Sequence, residues 1–546
     1  MAMHVPRAPG FASMLKDGAR HYEGLEEAVF RNIDACVAIA KTTRSTYGPH
    51  GQSKIVINHI GKQFVTNDAA TILRELEVAH PAAKMLVLAT MQQEQEAGDG
   101  TNLVFQLSGS LLQKASELIK IGLSVTQVAE GFEQARDKAL EILKQLVIDR
   151  VKDIRDYDSV KRVVKTTICS KQMEYADFLS DLITKACVSI APEKTHFNVD
   201  NIRVLKICGS GVFSSSVING MVFRRESEGD VKRAEKCKVV VYSCPFDALQ
   251  TETKGTVLIH NAKELTDLAK GEETQMQNIV QGIVDVGVKV VISGGKVGEL
   301  ALHYANKMGL MVVRLTSKFD VRRVCQMTGA TMLPSLTPPT QQEVGTIEQI
   351  YCDSVADSGI VVMKQSIKEG AISTILLRGA TDSIMDDIER CIDDGVNAYK
   401  CLTRNTDLVA GAGATEVELA RRLMEYADTI PGLEQYAIRE YARAFEVVPK
   451  ALAENAGVKA TEMLAQLYAK HQMKQYNMGV VAKLGEDPTI DDALVAGVID
   501  LCAVKEWAIK FATSAACTVL RVDQIIMAKP AGGPKPRDPK GQDEDD

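Results

Sequence analysis

The sequence has few of the features that mark membrane, secreted or nucleic-acid-binding proteins. Aromatic residues make up only 5% of its 546 positions, and no uncharged apolar run reaches the roughly 18 residues of a membrane-spanning helix. Basic charge is not in excess, because 64 Lys and Arg residues stand against 71 Asp and Glu, a net charge of −7. Residues 1–10 lack the apolar segment of a signal peptide. We therefore expect a cytoplasmic protein that binds neither nucleic acid nor membranes.

Clustered metal ligands are also missing. The 12 cysteines form no C-x-x-C pair and the 9 histidines are equally dispersed, so the sequence gives no zinc-site pattern. Scattered single cysteines are typical of reduced, mostly buried thiols. The remaining composition is ordinary for a globular protein, with 45% hydrophobic and 25% charged residues. At roughly 100–200 residues per domain, the length predicts about three domains.

The period of the hydrophobic pattern changes twice along the chain. Residues 1–150 are mostly helical in pattern, with one amphipathic helix predicted from Thr101 to Lys120. From about 238 to 377, short apolar runs such as 288–293 alternate with helical segments, which is typical of an α/β layer. Long helices return after about residue 402. Either two helical domains flank an α/β domain, or the outer thirds fold together around an inserted middle.

Two glycine-containing turns lie close to predicted helix starts. Residues 46–54 read T-Y-G-P-H-G-Q-S-K, and the amides of such a tight turn could approach a phosphate, although a plain surface turn is the simpler interpretation. Residues 98–102, G-D-G-T-N, open the helix predicted from Thr101, whose N-terminus suits phosphate. Asp99 could hold Mg²⁺ there, or the segment could be only an N-capped turn. The chain has no Walker A motif.

Acidic residues near two other helix starts are further candidates. Asp68 precedes a helical pattern that begins at Ala69, so it could orient a water molecule or simply cap the helix, and spacing alone favours the cap. A cluster of acidic residues between 386 and 394 is of the kind that usually indicates a solvated helix face. No nucleophile–base pairing can be argued from the order of residues along the chain.

The order of these segments resembles the group II chaperonin family, ATP-driven protein-folding rings, over nearly the whole chain. The matching segments are Tyr47–Gly51 (family [LY]-G-P-x-G), Thr66–Leu73 (T-N-D-G-A-T-I-L), His80–Met85, Gly98–Asn102 (G-D-G-T-T), Gly411–Glu416 (G-G-G-A-x-E) and Val519–Asp523. The resemblance implies an α+β multidomain fold. In it, both chain ends form a helical equatorial domain, a small intermediate domain acts as the hinge, and an inserted α/β apical domain carries a helical protrusion.

The resemblance also implies domain boundaries. They are 1–147 with 403–528 for the equatorial ATP-binding domain, 148–215 with 370–402 for the intermediate domain, and 216–369 for the apical substrate-binding domain, with the protrusion at about 245–277. Clients would contact the helical segment 297–308, with His303, Tyr304 and Lys307. Residues 529–546 are rich in Pro, Gly and charge, which predicts a disordered tail.

Site roles follow from the same resemblance, residue by residue. Asp99 would hold Mg²⁺, and Asp68 and Asp394 would position the water that attacks ATP. Because Asp394 falls in the hinge, closure would bring it to the γ-phosphate and couple hydrolysis to lid closure. The residues implied to contact ATP or ADP are Tyr47, Gly48, Gly100, Thr101, Asn102, Leu103, Ser170, Lys171, Gly411, Asp500 and Lys505.

Three departures from the family pattern bear on activity: Ala69 and Ala412 replace glycines, and Asn102 replaces a threonine. Each could lower the hydrolysis rate or alter nucleotide affinity. The function implied is an ATP-hydrolysing subunit of a hetero-oligomeric double ring of paralogous subunits, whose unfolded clients include actin and tubulin. The alternative is a ring subunit that binds nucleotide structurally with little turnover. An enzyme acting on a small molecule has no supporting side-chain pattern.

Overall fold

The computed structural model describes residues 20–22, 25–191, 197–247, 262–356, 358–365, 372–483 and 486–527. The predicted tail at 529–546, and residues 248–261 of the predicted protrusion, lie outside these ranges. The α-helices are α1 Leu25–Arg44, α2 Ala69–Glu75, α3 Pro81–Glu96, α4 Thr101–Ile121, α5 Val125–Gln145, α6 Tyr157–Cys169, α7 Ala176–Ile190, α8 Ala262–Asp285, α9 Glu299–Lys307, α10 Lys318–Thr328, α11 Asp382–Arg404, α12 Ala414–Ala427, α13 Glu434–Ala444, α14 Val447–Asn455, α15 Ala460–Gln472 and α16 Cys502–Leu520.

The β-strands are mostly short and lie largely in the middle of the chain. They are β1 Arg20–Tyr22, β2 Lys54–Ile57, β3 Gln63–Thr66, β4 Asp149–Arg150, β5 Ile202–Cys208, β6 Ser216–Phe223, β7 Arg233–Tyr242, β8 Val288–Ser293, β9 Met311–Arg314, β10 Met332–Leu333, β11 Gly345–Val355, β12 Ser358–Lys364, β13 Ser373–Gly379, β14 Asp407–Ala410, β15 Met478–Lys483, β16 Glu486–Asp492, β17 Ile499–Leu501 and β18 Ile525–Met527.

The two ends of the chain pack together. Helices α1, α3, α4 and α5 share one hydrophobic core with α12, α13 and α16, because buried side chains such as Leu107, Phe132, Leu423 and Tyr441 belong to the same cluster. Antiparallel pairing of β1 with β18, and of β14 with both β4 and β17, also joins the early and late parts of the chain. Of the two arrangements that the periodicity leaves open, the outer thirds therefore fold together.

The middle of the chain forms a mixed nine-stranded sheet, in the order β5-β13-β6-β12-β11-β7-β8-β9, with β10 paired to β7. Along β7, Val239 and Val241 enter one hydrophobic cluster, which includes residues of α10, while Val240 and Tyr242 enter another, which includes residues of α8 and α9. Alternate side chains of a strand point to opposite faces, so both faces are buried here. This burial explains why the strand reads as a continuous apolar run.

A third core joins the sheet to the helical part. Buried residues of α6, α7 and α11 pack with Ile375 and Leu377 of β13 and with Leu408 and Leu501 of the small β4-β14-β17 sheet. The rings of Phe197 and Tyr399 meet edge to face in this core, with centroids 4.8 Å apart. The core places α11 between the large sheet and the segments that carry the candidate site.

Candidate functional site

The centre of the candidate site is a lysine between two carboxylates. Lys171, just beyond the end of α6, places its Nζ 2.9 Å from Asp68 Oδ1 and forms an ion pair with Asp394 of α11. Asp68 is also the N-cap of α2, because its Oδ2 accepts the Thr71 backbone N–H at 2.9 Å and the Thr71 hydroxyl at 2.8 Å. Both roles considered for Asp68, helix cap and site carboxylate, thus belong to one side chain.

Charge and burial set the protonation of this trio. Burial alone would raise the pKa of Asp68, but the Lys171 ammonium and the Thr71 hydrogen bonds hold it well below its usual value. The Asp394 pKa is raised, because the side chain is buried and lies near the charges of Asp68 and Asp99, which outweigh the attraction of Lys171. The pKa of Lys171 is raised by both carboxylates despite its burial. One cation therefore faces two acidic groups.

Asp99 lies in a tight turn at the start of α4. Its Oδ1 accepts the Gly100 N–H at 2.6 Å, and its carbonyl accepts Gln93 Nε2 at 2.9 Å. Gly100 has φ 75°, and a Cβ added there would meet Val504 Cγ1 at 2.8 Å, so glycine is required on both counts. Burial raises the Asp99 pKa, Lys171 opposes this, and Asp500 and Asp68 raise it further. Asp99 therefore lies within reach of the charges on both sides of the site.

The first turn of α4 presents backbone rather than side chains. Gly100 provides no side-chain cap for the N–H groups of this turn. The side chain of Asn102 is directed toward the end of α1, where its Nδ2 donates to Thr43 O at 3.3 Å and to Thr46 Oγ1 at 3.1 Å. Leu103 is buried in the shared core. Any role of Asn102 or Leu103 toward a ligand thus falls to their main-chain N–H groups.

The turn at Tyr47 and Gly48 is held against α14. Asn455 Nδ2 donates to the Tyr47 carbonyl at 2.7 Å, and Gly48 has φ 80° with Leu452 Cδ2 only 2.4 Å from where a Cβ would lie. Burial raises the pKa of Tyr47, and the charges of Glu416 and Asp500 raise it further. The turn therefore lies near Glu416 and Asp500, two members of the lysine cluster described next.

A second buried lysine, Lys505 of α16, also lies between two carboxylates. Its Nζ is 2.9 Å from Asp500 Oδ2 and bonds Glu416 Oε1 of α12 at 2.5 Å. Gly411 is close to Asp500, since a Cβ added to it would lie 3.2 Å from Asp500 Oδ1 and 2.8 Å from Val498 Cγ1. Burial would lower the pKa of Lys505, but the two carboxylates raise it well above its usual value.

Comparison with known proteins decides the family. A model of the TCP-1/cpn60 chaperonin family matches residues 39–530. The chain belongs to this family. It is 58% identical over 546 residues to human T-complex protein 1 subunit theta, covering 100% of both proteins. It is 59% identical over 536 residues to the subunit theta of Gallus gallus, covering 98% of each, and 50% identical over 548 residues to that of Caenorhabditis briggsae, covering 100% of this chain and 99% of the relative.

The resemblance and the α+β multidomain fold class expected from the sequence are therefore confirmed. Within the described ranges, no helix is long and apolar enough to cross a membrane. Ala69, which replaces a family glycine, is simply the first residue of α2, where alanine is favoured over glycine. Ala412, the other alanine replacement, has φ 55° and so occupies the left-handed region that favours glycine.

The interpretation of the 386–394 acidic cluster as a solvated helix face is wrong for Asp387 and Asp394, whose side chains are each only 14% exposed. Asp386 and Glu389 both pair with Lys206, at 2.5 and 2.6 Å, and Asp387 accepts hydrogen bonds from Thr66 and Gln172. A charge run looks the same in sequence whether its partners are water or cations brought in from distant strands. No local signal marks Lys206 as that partner.

The predicted site residue Ser170 makes a local contact, and two residues near the site were not predicted. Ser170 caps α6 and its hydroxyl donates to Thr167 O at 2.7 Å. The buried Gln93, which sequence reasoning missed, bridges the Asp99 carbonyl and Val504 O. Glu416 was also missed as a site residue, although it ends the matching segment Gly411–Glu416 and could have been singled out as its one acidic member.

Proposed function

We propose that this chain is an ATP-hydrolysing subunit of a hetero-oligomeric double-ring chaperonin of the cytoplasm. In this proposal, hydrolysis drives lid closure and the folding of enclosed proteins such as actin and tubulin. The observation that carries it is the meeting of Asp68, Lys171 and Asp394 beside the Asp99 turn. A side chain that orients the attacking water is a recurring part of phosphoryl-transfer sites, and the adjacent helix N-terminus suits phosphate.

The residues present fit a magnesium nucleotide. No group of three or more His, Cys, Asp or Glu side chains in the described ranges is placed to hold a metal ion alone. Mg²⁺ typically takes one or two protein carboxylates and completes its shell with water and phosphate oxygens, which suits Asp99. Bound there, Mg²⁺ would neutralise phosphate charge. The N–H groups of Gly100, Thr101, Asn102 and Leu103 would bind phosphate oxygens.

The rest of the nucleotide would lie toward the second lysine cluster. Tyr47 and Gly48 on one side, and Gly411 and Asp500 on the other, would contact the base and ribose, with Asp500 as the partly exposed acceptor at the edge of its cluster. Lys505 would act through Asp500, because its ammonium is already engaged by two carboxylates. Ser170 and Lys171 would sense the bound nucleotide.

We extend the proposal to the domains. Residues 1–147 with 403–528 would be the equatorial domain, 148–215 with 370–402 the hinge, and 216–369 the apical domain. Support comes from the single core shared by both chain ends and from the position of α11 between that core and the sheet. On the apical side, α9 offers exposed His303 and Lys307 around the ring of Tyr304 to a client.

A subunit that binds nucleotide with little turnover is the second candidate. Ala412 favours it, because this family-glycine position lies beside Gly411 and has a left-handed backbone, a conformation that costs energy in a residue with a Cβ. The proposal of hydrolysis is tested with Asp394→Ala in the assembled ring: a lower ATP turnover per ring supports it, and unchanged turnover contradicts it.

The assembly itself is tested by native mass under mild conditions with nucleotide. A particle of roughly a megadalton that contains several homologous chains supports the ring. A stable monomer with its own ATPase activity would contradict it.

A further inference from the structure

We propose that Asp387 is a positioning residue that ties the segments of Asp68 and Lys171 to helix α11, which carries Asp394. The proposal rests on the ATP hydrolysis proposed above. Asp387 and Asp394 lie about two turns apart on α11, and at 3.6 residues per turn they share a face of the helix. That face is the one turned toward the candidate site, because both side chains contact the segments that form it.

Each carboxylate oxygen of Asp387 accepts a hydrogen bond from a different segment. Oδ1 accepts the hydroxyl of Thr66, at the end of β3, with a distance of 3.0 Å. Oδ2 accepts Gln172 Nε2, beyond α6, at 2.6 Å. Arg390, one turn further along α11, lies 3.5 Å from Oδ1. The Asp387 side chain is only 14% exposed, so these contacts are largely shielded from water.

Thr66 passes this constraint on to Asp68. The Thr66 side chain is fully buried, and its hydroxyl oxygen accepts the Asp68 backbone N–H at 3.0 Å. A hydroxyl has a single proton, and here the acceptor for that proton is Asp387. The carboxylate thereby fixes the direction of the Thr66 hydroxyl, and the hydroxyl fixes the main chain of the residue whose side chain meets Lys171.

Gln172 connects Asp387 to Lys171 in the same way, because its side-chain amide donates to Asp387 and Gln172 follows Lys171 directly in the chain. The Lys171 carbonyl also accepts Asn67 Nδ2 at 3.0 Å, so the Asp68 and Lys171 segments are bonded directly to each other as well as through Asp387. Removing Asp387 would free both segments relative to α11. Displacing a reacting group by about 1 Å costs on the order of a hundredfold in rate, so hydrolysis is expected to fall even where nucleotide still binds.

The test must separate hydrolysis on this chain from hydrolysis on its neighbours. A photo-cross-linkable ATP analogue, labelled at either the α- or the γ-phosphate, is bound to the assembled ring. After cross-linking, the subunits are separated under denaturing conditions. The α label on this chain reports occupancy, and the loss of the γ label relative to the α label reports hydrolysis. We call this the two-label measurement.

With Asp387→Ala, we expect γ-label loss at least tenfold slower than in the wild type, with α-label occupancy unchanged. Asp386→Ala is the matched control, because this neighbouring aspartate pairs with Lys206 instead, so hydrolysis should be unaffected. A residue with a purely structural role would not slow hydrolysis while folding stability and nucleotide occupancy stay normal. Reduced thermal stability with a normal rate of γ-label loss would overturn the proposal.

Thr66→Val provides a second route should Asp387→Ala fail to assemble, because it removes the hydroxyl and keeps the side-chain volume. It should slow γ-label loss to a similar extent, Thr66→Ser should retain more activity than Thr66→Val, and the double variant Thr66→Val/Asp387→Ala should be no slower than the more severe single one. Normal hydrolysis in Thr66→Val would overturn the proposal. Asp394→Ala, measured alongside, distinguishes failure of the proposed hydrolysis from failure of the role of Asp387. If Asp394→Ala also hydrolyses ATP normally, the proposed function is wrong. If only Asp394→Ala is defective, only the role of Asp387 is refuted.

Discussion

The two buried lysines of the site have the same chemistry and different settings. Lys171 and Lys505 each lie between two carboxylates, so each cluster has one cation for two acids. Lys505 and Glu416 are only 6% and 4% exposed, while Lys171 and Asp394 are each 14% exposed. In the Lys505 cluster only Asp500 has substantial contact with solvent, because its side chain is 35% exposed.

The segments that supply the two clusters differ more than their burial does. Glu416 and Lys505 come from α12 and α16, which pack in the core shared by both chain ends. Asp68, Lys171 and Asp394 come from three segments, one of them on α11, whose buried residues belong to a different core. The Glu416–Lys505 pair lies within one core and can hold the fold together, although Asp500 of β17 lies among residues of the other core. The Asp68, Lys171 and Asp394 group joins segments of different cores, so it can form or separate as they move. On the proposed function, we expect Lys505 to serve mainly stability and Lys171 mainly hydrolysis.

Breaking the Lys505 cluster should have the largest effect on stability. Lys505→Met leaves Glu416 buried without its cation, and removal of one member of a buried ion pair typically costs about 3–5 kcal/mol. We expect amide hydrogen exchange in α16 to quicken by roughly two to four orders of magnitude, measured by mass spectrometry on the assembled protein. Lys510→Met is the control, because Lys510 and Glu506 form a partly exposed pair within α16, whose loss should have little effect. Unchanged protection in Lys505→Met would contradict the structural role.

The equivalent change in the other cluster should affect turnover first. Lys171→Met should slow γ-label loss by about a hundredfold in the two-label measurement. Amide exchange in α2 and α11 should quicken less than exchange in α16 does in Lys505→Met. The reason is that the pKa of Asp394 is already raised, so this side chain can take up a proton once the ammonium is gone. Strong unfolding with normal hydrolysis would reverse the assignment of the two lysines.

Glu418 is a third buried carboxylate, but its partners are His471, Arg421 and Arg422 and not a lysine. Its titration extends the comparison to the pH dependence of stability. Burial would raise the pKa of Glu418, but hydrogen bonds from His471, Arg421 and Arg422 lower it from the ordinary 4.5 to about 2. A pKa that is lower in the folded protein contributes stability that is complete above pH 4.5 and is lost as the pH falls toward 2. We expect a loss of roughly 2–3 kcal/mol in the protection of α12 amides over that window.

Glu418→Gln is the control for this pH dependence. It should already be less protected at neutral pH and should show a shallower loss between pH 4.5 and 2. An equally steep loss in the variant would show that other groups are responsible.

The smallest effect concerns the turn beside Gly411. Ala412 has φ 55°, and the left-handed conformation costs a residue with a Cβ roughly 1–2 kcal/mol, partly offset by the greater flexibility of glycine in the unfolded chain. Ala412→Gly should therefore stabilise the protein by about 0.5–1 kcal/mol, measured as a rise in the unfolding temperature. Gly413→Ala, at φ 77°, should do the opposite. A lower unfolding temperature for Ala412→Gly would show that the methyl group is favourable there.

Local features of the fold could be predicted from the sequence, and long-range partners could not. The helix predicted from Thr101 to Lys120 is α4, and the apolar run 288–293 is β8 with the same bounds, because both depend on patterns within a few residues. Whether the outer thirds share a core depends on packing between residues hundreds apart, so periodicity left it open.

The same limit applies to the site. Resemblance to the family predicted Asp68, Lys171 and Asp394, and the structure brings them into contact, but it did not predict that Lys171 pairs with both acids. Glu416 and Asp387 were missed as partners because hydrogen bonds between distant segments leave no spacing in the sequence. Asn102 was expected near phosphate, yet its side chain bonds the end of α1, since only the folded chain shows which way a polar side chain is directed.

The most direct test of hydrolysis on this chain is the two-label measurement on the unmodified protein in its assembled ring. We expect the chain to bind the α-labelled analogue and to lose the γ label within about one turnover of the ring, because Asp68, Lys171 and Asp394 meet beside Asp99. Equal retention of both labels over many turnovers would contradict it and would identify a nucleotide-binding structural subunit instead.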